Sequence, residues 1–149
     1  MFDLVIADHV LFYCENIPQV LAECRRVLKD EGRFLCSTYG KQHMWEITDL
    51  VQKFHKEIVL SAEVLYERFG LENGENLLAP YFPEIQMRRY EDAIEIAEAE
   101  PLISYILSCH GNQNQLLLNQ YKEFREFVSA RVADGFHITK DAGIFLCRK

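Results

Sequence analysis

The sequence lacks the motifs that mark several functional classes. Its seven glycines are scattered, and none forms a G-x-G-x-x-G turn after a predicted strand. Its five cysteines are an odd number without a C-x-x-C pair, and its five histidines do not pair at metal-ligand spacing. These absences argue against a dinucleotide fingerprint, a disulfide framework and a metal site, and they predict reduced, structural thiols in a cytoplasmic protein.

Positive charge and long apolar runs are also scarce. Lys and Arg number 16 against 23 Asp and Glu, and the net charge of −7 argues against a nucleic-acid backbone as partner. No apolar run approaches the roughly 20 residues of a membrane helix. Asp3 and Asp8 interrupt the apolar start, so no signal peptide is predicted. At 149 residues, 49% of them hydrophobic, the chain is expected to form one globular domain.

The first 39 residues predict a strand, a helix and a second strand. Leu4 to Ala7 is a short, continuous apolar run typical of a strand buried on both faces. Gly32 is expected to stop the helix, and Arg33 to Thr38 is a second run of strand length. The two strands should therefore be parallel, with a right-handed crossover. The apolar stripe of the helix consists of Val20, Leu21, Cys24, Val27 and Leu28.

The remaining residues continue this α/β pattern. A helix is predicted around residues 47–58, short helices over 61–78, and longer ones over 102–109 and 115–133. Strands are predicted over 84–90 and 93–97, separated by a turn at Glu91-Asp92. The tail reads as a hairpin around a Lys140 to Gly143 turn. The predicted parts of the single domain are 1–60 (βαβα core), 61–97 (short helices and strand pair), 98–134 (helical insertion) and 135–149 (C-terminal hairpin).

Three motifs follow one another in the first third of the chain: FDLVIADHVLFYC, RRVLK-x-x-G-RF and STYG-x-x-H-M-x-E. In this order they resemble the later half of the class I (Rossmann-like) S-adenosylmethionine-dependent methyltransferases of the small-molecule type. FGLENGENLL and FHITKDAGIFLC are similar to distal segments of that family. The resemblance implies a three-layer, partial Rossmann-like fold with a mixed sheet. Its strand order would be the first strand, the second, the C-terminal strand and then Glu84–Tyr90.

The same resemblance implies methyl transfer from S-adenosylmethionine to a small molecule. The family binds this cofactor mainly through a glycine-rich turn after its first strand and an acidic residue ending its second. Met1 directly precedes the stretch that is similar to the fourth strand. We therefore expect the chain to lack the cofactor-binding half, as a natural truncation, a mis-started reading frame or a fragment, and to be inactive alone.

Ligands of open parallel sheets bind outside the carboxyl ends of the strands, which selects three polar candidates. His9 either orients the acceptor or acts as a general base, or it is a loop histidine bonded to backbone. His43 either reaches the acceptor or begins the next helix facing water. Asp8 contacts the methionine end of the cofactor or caps a turn.

Three aromatic residues are candidates for the wall of a substrate pocket. They are Tyr13, Tyr39 and Trp45, although aromatic residues at such spacing also form cores. Tyr13 occupies a position where relatives often carry histidine. Methyl transfer from a sulfonium depends mostly on positioning, so no marked catalytic triad is expected.

Two other functions compete with methyl transfer. The chain could be a non-catalytic domain serving oligomerisation or binding. A nicotinamide oxidoreductase would share the strand-helix-strand pattern, but the FDLVIA and RVLK segments fit methyltransferases better. Apart from a small-molecule acceptor, the expected partner is a second copy of the chain, because the apolar strand Phe2 to Ala7 carries neither lysine nor proline to blunt an open edge.

Overall fold

The computed structural model describes all 149 residues and contains one four-stranded sheet. The strands are β1 (Phe2–Asp8), β2 (Leu28–Tyr39), β3 (Glu84–Ile96) and β4 (Phe136–Arg148). The helices are α1 (Ile17–Val27), α2 (Trp45–Phe54), α3 (Leu65–Arg68), α4 (Gly74–Leu78), α5 (Ala99–Ser108), α6 (Gln113–Leu117) and α7 (Tyr121–Val132). A 3₁₀ turn at Leu11–Tyr13 precedes α1.

The strand order is β1-β2-β4-β3, with β2 parallel to β1 and antiparallel to β4. The α/β class, the mixed sheet and the strand order predicted from the sequence are therefore confirmed. Helices α5 to α7 separate β3 from β4 along the chain.

The chain divides into two compact units. The first unit comprises Met1–His43, Val64–Glu91 and Asp141–Lys149, and the second comprises Met44–Glu63 and Asp92–Lys140. Each unit has its own cluster of buried apolar side chains. No helix combines the length and the apolar character needed to cross a membrane.

The core of the first unit forms where α1 packs on the sheet. Asn16 caps α1 by accepting a hydrogen bond from the Gln19 N–H at 3.1 Å, and Pro18 lies in the first turn, where its missing N–H costs nothing. Leu21 is fully buried, and the Phe34 and Phe82 rings stack at 5.3 Å. Of the predicted apolar stripe, Val20, Leu21 and Cys24 pack into this core, whereas Leu28 belongs to β2.

The second unit buries the apolar faces of α2, α5 and α7 together. The Phe54 and Phe124 rings meet edge to face at 5.2 Å, which suits their quadrupoles. The helix predicted over residues 115–133 is in fact α6 and α7, separated at Leu118, whose side chain is 76% exposed. A continuous helix was the wrong prediction, since residues 118–120 form a turn between α6 and α7. The other buried residues include Ile47, Leu50, Val51, Leu102, Ile103, Ile106 and Val128.

Gly32 does not stop α1, contrary to prediction. The helix ends at Val27, and β2 begins at once, with Leu28 beside Phe2. The register then jumps to Leu4 beside Arg33, so the residues around Gly32 form a bulge. A Cβ at Gly32 would lie 3.1 Å from the Phe2 carbonyl oxygen, so this glycine permits close approach within the strand.

The predicted turn at Glu91-Asp92 and the C-terminal hairpin are also wrong. β3 continues without a break through Glu91 and Asp92, and β4 is one continuous strand from Phe136 to Arg148. Gly143 has no positive φ; it lies opposite Thr38 in the ladder, and a Cβ there would come 2.7 Å from the Arg88 carbonyl oxygen. Its small size serves close packing of strands and does not make a turn.

Candidate active-site edge

The carboxyl ends of β1 and β2 lie side by side, with Asp8 opposite Ser37. The Ser37 hydroxyl donates a hydrogen bond to Asp8 Oδ1. The Ser37 hydroxyl oxygen also accepts a hydrogen bond from the His9 N–H at 2.9 Å. One buried hydroxyl thus fixes two consecutive residues of the neighbouring strand.

His9 has a left-handed backbone, with φ of 48°. Such a conformation is uncommon outside glycine and tends to occur at functional sites. Its ring lies 4.3 Å from the Tyr39 ring and 6.4 Å from the Phe12 ring, between centroids. The His9 Nδ1 atom is buried and has no hydrogen-bond partner within the protein. A ligand with a hydroxyl or amine group could supply one.

Tyr39 ends β2 and contacts both candidate histidines. Its ring centroid lies 4.3 Å from His43 as well as from His9, and it stacks on Phe12 at 5.6 Å. We call His9, Tyr39 and His43 the imidazole–phenol cluster. Burial raises the pKa of the Tyr39 phenol, and nearby Tyr13 and Asp8 raise it further. The phenol therefore stays protonated at neutral pH.

The loop that carries His43 is bonded to Asp141 of β4. The Gly40 N–H donates to the Asp141 carbonyl oxygen at 3.0 Å, and the Gln42 N–H donates to its carboxylate at 3.1 Å. The Asp141 N–H in turn donates to His43 Nδ1 at 3.2 Å. A Cβ at Gly40 would lie 2.1 Å from the carboxylate, so only glycine leaves room for this arrangement.

The Asp141 side chain is 7% exposed, and Arg89 neutralises it. Arg89 Nε lies 3.1 Å from Asp141 Oδ1, and its Nη2 reaches Glu72 at 3.3 Å. Glu72 also accepts the Lys41 N–H at 3.2 Å. This ion-pair chain joins β3, β4 and the loop, and it fixes the path of residues 40–43.

The structure brings five of the six predicted site residues into the first unit: Asp8, His9, Tyr13, Tyr39 and His43. Tyr13 is 64% exposed, and its ring meets Phe12 edge to face at 4.7 Å. Trp45 belongs to the second unit, where it begins α2 with 47% of its surface exposed.

Two residues of the edge were not selected from the sequence. No sequence neighbour marks Ser37, and it comes to lie beside Asp8 through the parallel register that aligns the two strand ends. Asp141 lies 98 residues beyond His43 and fell in a predicted turn. No local signal connects these two residues, because β4 reaches β2 only through the sheet.

Other reactive side chains offer little chemistry. All five cysteines are free. Burial raises the pKa of the Cys36 thiol, and the neighbouring Cys147 and Cys24 raise it further. Burial alone raises the pKa of Cys147 to about 12. Those two remain protonated and inert.

A polar cavity of about 270 Å³ lies near Arg33 at the other end of β2, where Arg148 pairs with Glu84 at 3.5 Å. It is a solvated cluster of ion pairs away from the imidazole–phenol cluster.

Residues 1–36 match the family described as a methyltransferase domain. This segment is methyltransferase-like. The resemblance to class I S-adenosylmethionine-dependent methyltransferases seen in the motifs is therefore confirmed. The matched segment contains β1, Asp8, His9 and most of β2.

One curated relative and two solved structures are similar to parts or all of the chain. The biotin biosynthesis bifunctional protein BioHC of Saccharophagus degradans is 35% identical over 48 residues, which are 32% of this chain and 9% of that protein. A putative methyltransferase from an antibiotic biosynthesis pathway of Anabaena variabilis is 14% identical, with a TM-score of 0.49, over 99% of this chain and 66% of that one. Phosphoethanolamine N-methyltransferase 2 of Haemonchus contortus, in complex with S-adenosyl-L-methionine, is 17% identical, with a TM-score of 0.45, over 99% of this chain and 33% of that one. The chain thus spans less than two thirds of the length of each.

The Arg89–Asp141 pair gives a direct test of how the loop is held. Arg89→Met leaves a buried carboxylate without its cation, so we expect the free energy of unfolding to fall by about 1–3 kcal/mol. The matched control is Arg125→Met, because the Arg125–Glu100 pair is more than half exposed on both sides. Its loss should cost less than about 1 kcal/mol. Urea denaturation measures both, and equal losses would contradict the assignment.

Proposed function

We propose that this chain provides the acceptor side of an S-adenosylmethionine-dependent methyltransferase that acts on a small molecule. The observation that carries the proposal is the imidazole–phenol cluster at the carboxyl ends of β1 and β2. The cluster begins within the segment that matches the methyltransferase domain family. A sheet of this kind binds its ligands at that edge.

In this proposal His9 takes the proton that the acceptor loses. Its Nδ1 is buried and unbonded, so a hydroxyl or amine of the acceptor would satisfy it by donating a hydrogen bond. A neutral imidazole suits proton transfer near neutral pH. The hydrogen bond from the His9 N–H to the Ser37 hydroxyl holds the backbone of His9, and the Tyr39 ring packs against its imidazole.

His43 serves a different purpose because its Nδ1 already accepts the Asp141 N–H. In the neutral ring the proton then lies on Nε2, so neither nitrogen of His43 is left to take a proton. We assign it the positioning of the acceptor. Tyr39, whose raised pKa keeps it neutral, packs its ring against both imidazoles.

The residues present fit one end of S-adenosylmethionine. The Asp8 carboxylate is exposed, and its negative charge complements the cationic amino group at the methionine end. Bound there, the cofactor would supply an activated methyl group. Gly40, which follows β2, is packed against Asp141 and provides no open glycine turn. The fit therefore covers the methionine end and leaves the adenosine end without a site in this chain.

A non-catalytic binding or oligomerisation domain is the second candidate. It is favoured by the exposed apolar side chains of β1, with Phe2 at 58% and Ile6 at 59%. This function needs neither the unbonded His9 nitrogen nor the Asp141 network. The two candidates therefore differ in what a change at His9 does.

For the 149-residue chain itself, we expect weak binding of S-adenosylmethionine or none, because the glycine-rich turn and the ribose-binding acid are absent. Isothermal titration calorimetry with S-adenosylmethionine measures this directly. A dissociation constant in the low micromolar range would show that the chain holds a complete cofactor site, and it would overturn this part of the proposal.

The catalytic role is tested at His9. In a form completed by fusion to the cofactor-binding half of a related methyltransferase, His9→Asn should lower kcat by roughly 10²–10⁴, because asparagine cannot accept the proton. Asparagine tolerates the left-handed backbone, so the melting temperature should hardly change. His110→Asn, a change at an exposed histidine, is the control and should leave kcat unchanged. Normal turnover in His9→Asn would contradict the role of His9 as proton acceptor, and no turnover in the unaltered fusion would favour the non-catalytic function.

A further inference from the structure

β3 lies in the middle of the chain and at the edge of the sheet opposite β1. It is a strand of 13 residues, Glu84–Ile96, that pairs with β4 on its inner side only. All residues from Gln86 to Glu95 are exposed, and Tyr90 is exposed over 66% of its surface. An edge of this kind binds another strand unless its side chains repel that strand. The side chains of β3 therefore decide which strand this edge accepts.

The middle of β3 reads Arg88-Arg89-Tyr90-Glu91-Asp92, with opposite charges on the two sides of the tyrosine. These five residues are consecutive in one continuous strand, so strand geometry alone sets their spacing. Arg88, Tyr90 and Asp92 alternate with Arg89 and Glu91, so the two sets point to opposite faces. When the strand is turned end for end, each arginine takes the place of an acidic residue. The segment is therefore complementary in charge to its own copy.

We propose that β3 pairs antiparallel with β3 of a second copy, about a twofold axis at Tyr90. On one face, Arg88 then lies opposite Asp92 of the partner copy, and Tyr90 lies opposite the partner's Tyr90. On the other face, Arg89 lies opposite the partner's Glu91. The sheets of the two copies thereby join into one continuous sheet.

The face that carries Arg88, Tyr90 and Asp92 contributes most to this pairing. Opposite charges that face each other across two strands stabilise the pair, and two facing tyrosines add an aromatic contact. Arg88 forms no ion pair within its own chain, so its charge is available to the partner. Arg89, on the other face, is already paired with Asp141 at 3.1 Å and therefore adds less.

The same charges exclude other registers of the two strands. Twofold symmetry requires that one residue face its own copy, because hydrogen-bonded and non-hydrogen-bonded pairs alternate along an antiparallel ladder. An axis at any of the four charged residues beside Tyr90 would set that charge against itself. An axis at Met87 or Ala93 would pair only about half of the strand. Tyr90 is the midpoint of Glu84–Ile96, so an axis there pairs the strand over its whole length.

Sedimentation velocity of the 149-residue chain, at micromolar concentration and low ionic strength, tests this pairing. We expect the unaltered chain to dimerise. Arg88→Asp or Asp92→Arg sets like charges opposite each other twice in the dimer, so each should raise the dimer dissociation constant roughly tenfold or more. Lys122→Asp and Glu126→Arg, at exposed residues of α7, change the net charge equally and should leave the dissociation constant unchanged.

Mixing the two β3 variants tests the position of the axis. When an Arg88→Asp chain pairs with an Asp92→Arg chain, both facing pairs again have opposite charges, so the mixture should dimerise about as tightly as the unaltered chain. A chain with both changes should do the same. Far-UV circular dichroism reports whether each variant folds, and Arg88→Glu or Asp92→Lys replaces one that does not.

Two results would contradict the pairing of β3. They are a monomeric unaltered chain and a dimer that neither single change weakens, since such a dimer would use another surface. If the single changes weaken the dimer but neither the mixture nor the doubly changed chain recovers it, the axis at Tyr90 is wrong.

Discussion

The register between β1 and β2 is the constraint on which the candidate site depends. Asp8 lies opposite Ser37, and the Ser37 hydroxyl bonds to both Asp8 and the His9 N–H. Side chains alternate between the faces of a strand, so a slip of one residue would turn Ser37 to the other face. It would also move Tyr39 away from His9. Backbone pairing thus determines which aromatic and imidazole rings meet.

A second constraint comes from β4. Its Asp141 bonds to three residues of the loop after β2 and is neutralised by Arg89 of β3. The His43 ring owes its orientation to this network, and so does the assignment of its Nδ1 as an acceptor. The two histidines therefore differ in chemistry although both contact Tyr39: one nitrogen of His9 is open to a ligand, while His43 is committed to the sheet.

Local patterns predicted the parts of the fold that depend on short-range order. β1, α1 and the parallel pairing followed from apolar periodicity, and the strand order followed from the family resemblance. The continuity of β4 could not be predicted from local patterns, because a glycine such as Gly143 has the same sequence signal whether it makes a turn or lets the Arg88 backbone approach. Nor could the role of Asp141, because its partners are close only after β2 and β4 pair. The strand ends alone were enough to place Asp8, His9 and Tyr39 at one edge. The Ser37 hydrogen bonds that hold Asp8 and His9 there could not be predicted in this way.

Tyr39 contacts both imidazoles at the ends of the parallel strand pair, and the candidate site depends on this contact. Nuclear Overhauser spectroscopy of the aromatic protons tests this most directly, with resonances assigned from His9→Asn and His43→Asn. The account predicts cross-peaks from the Tyr39 ring protons to the ring protons of both His9 and His43, all lost in Tyr39→Leu. Cross-peaks to only one histidine, or to neither, would contradict it.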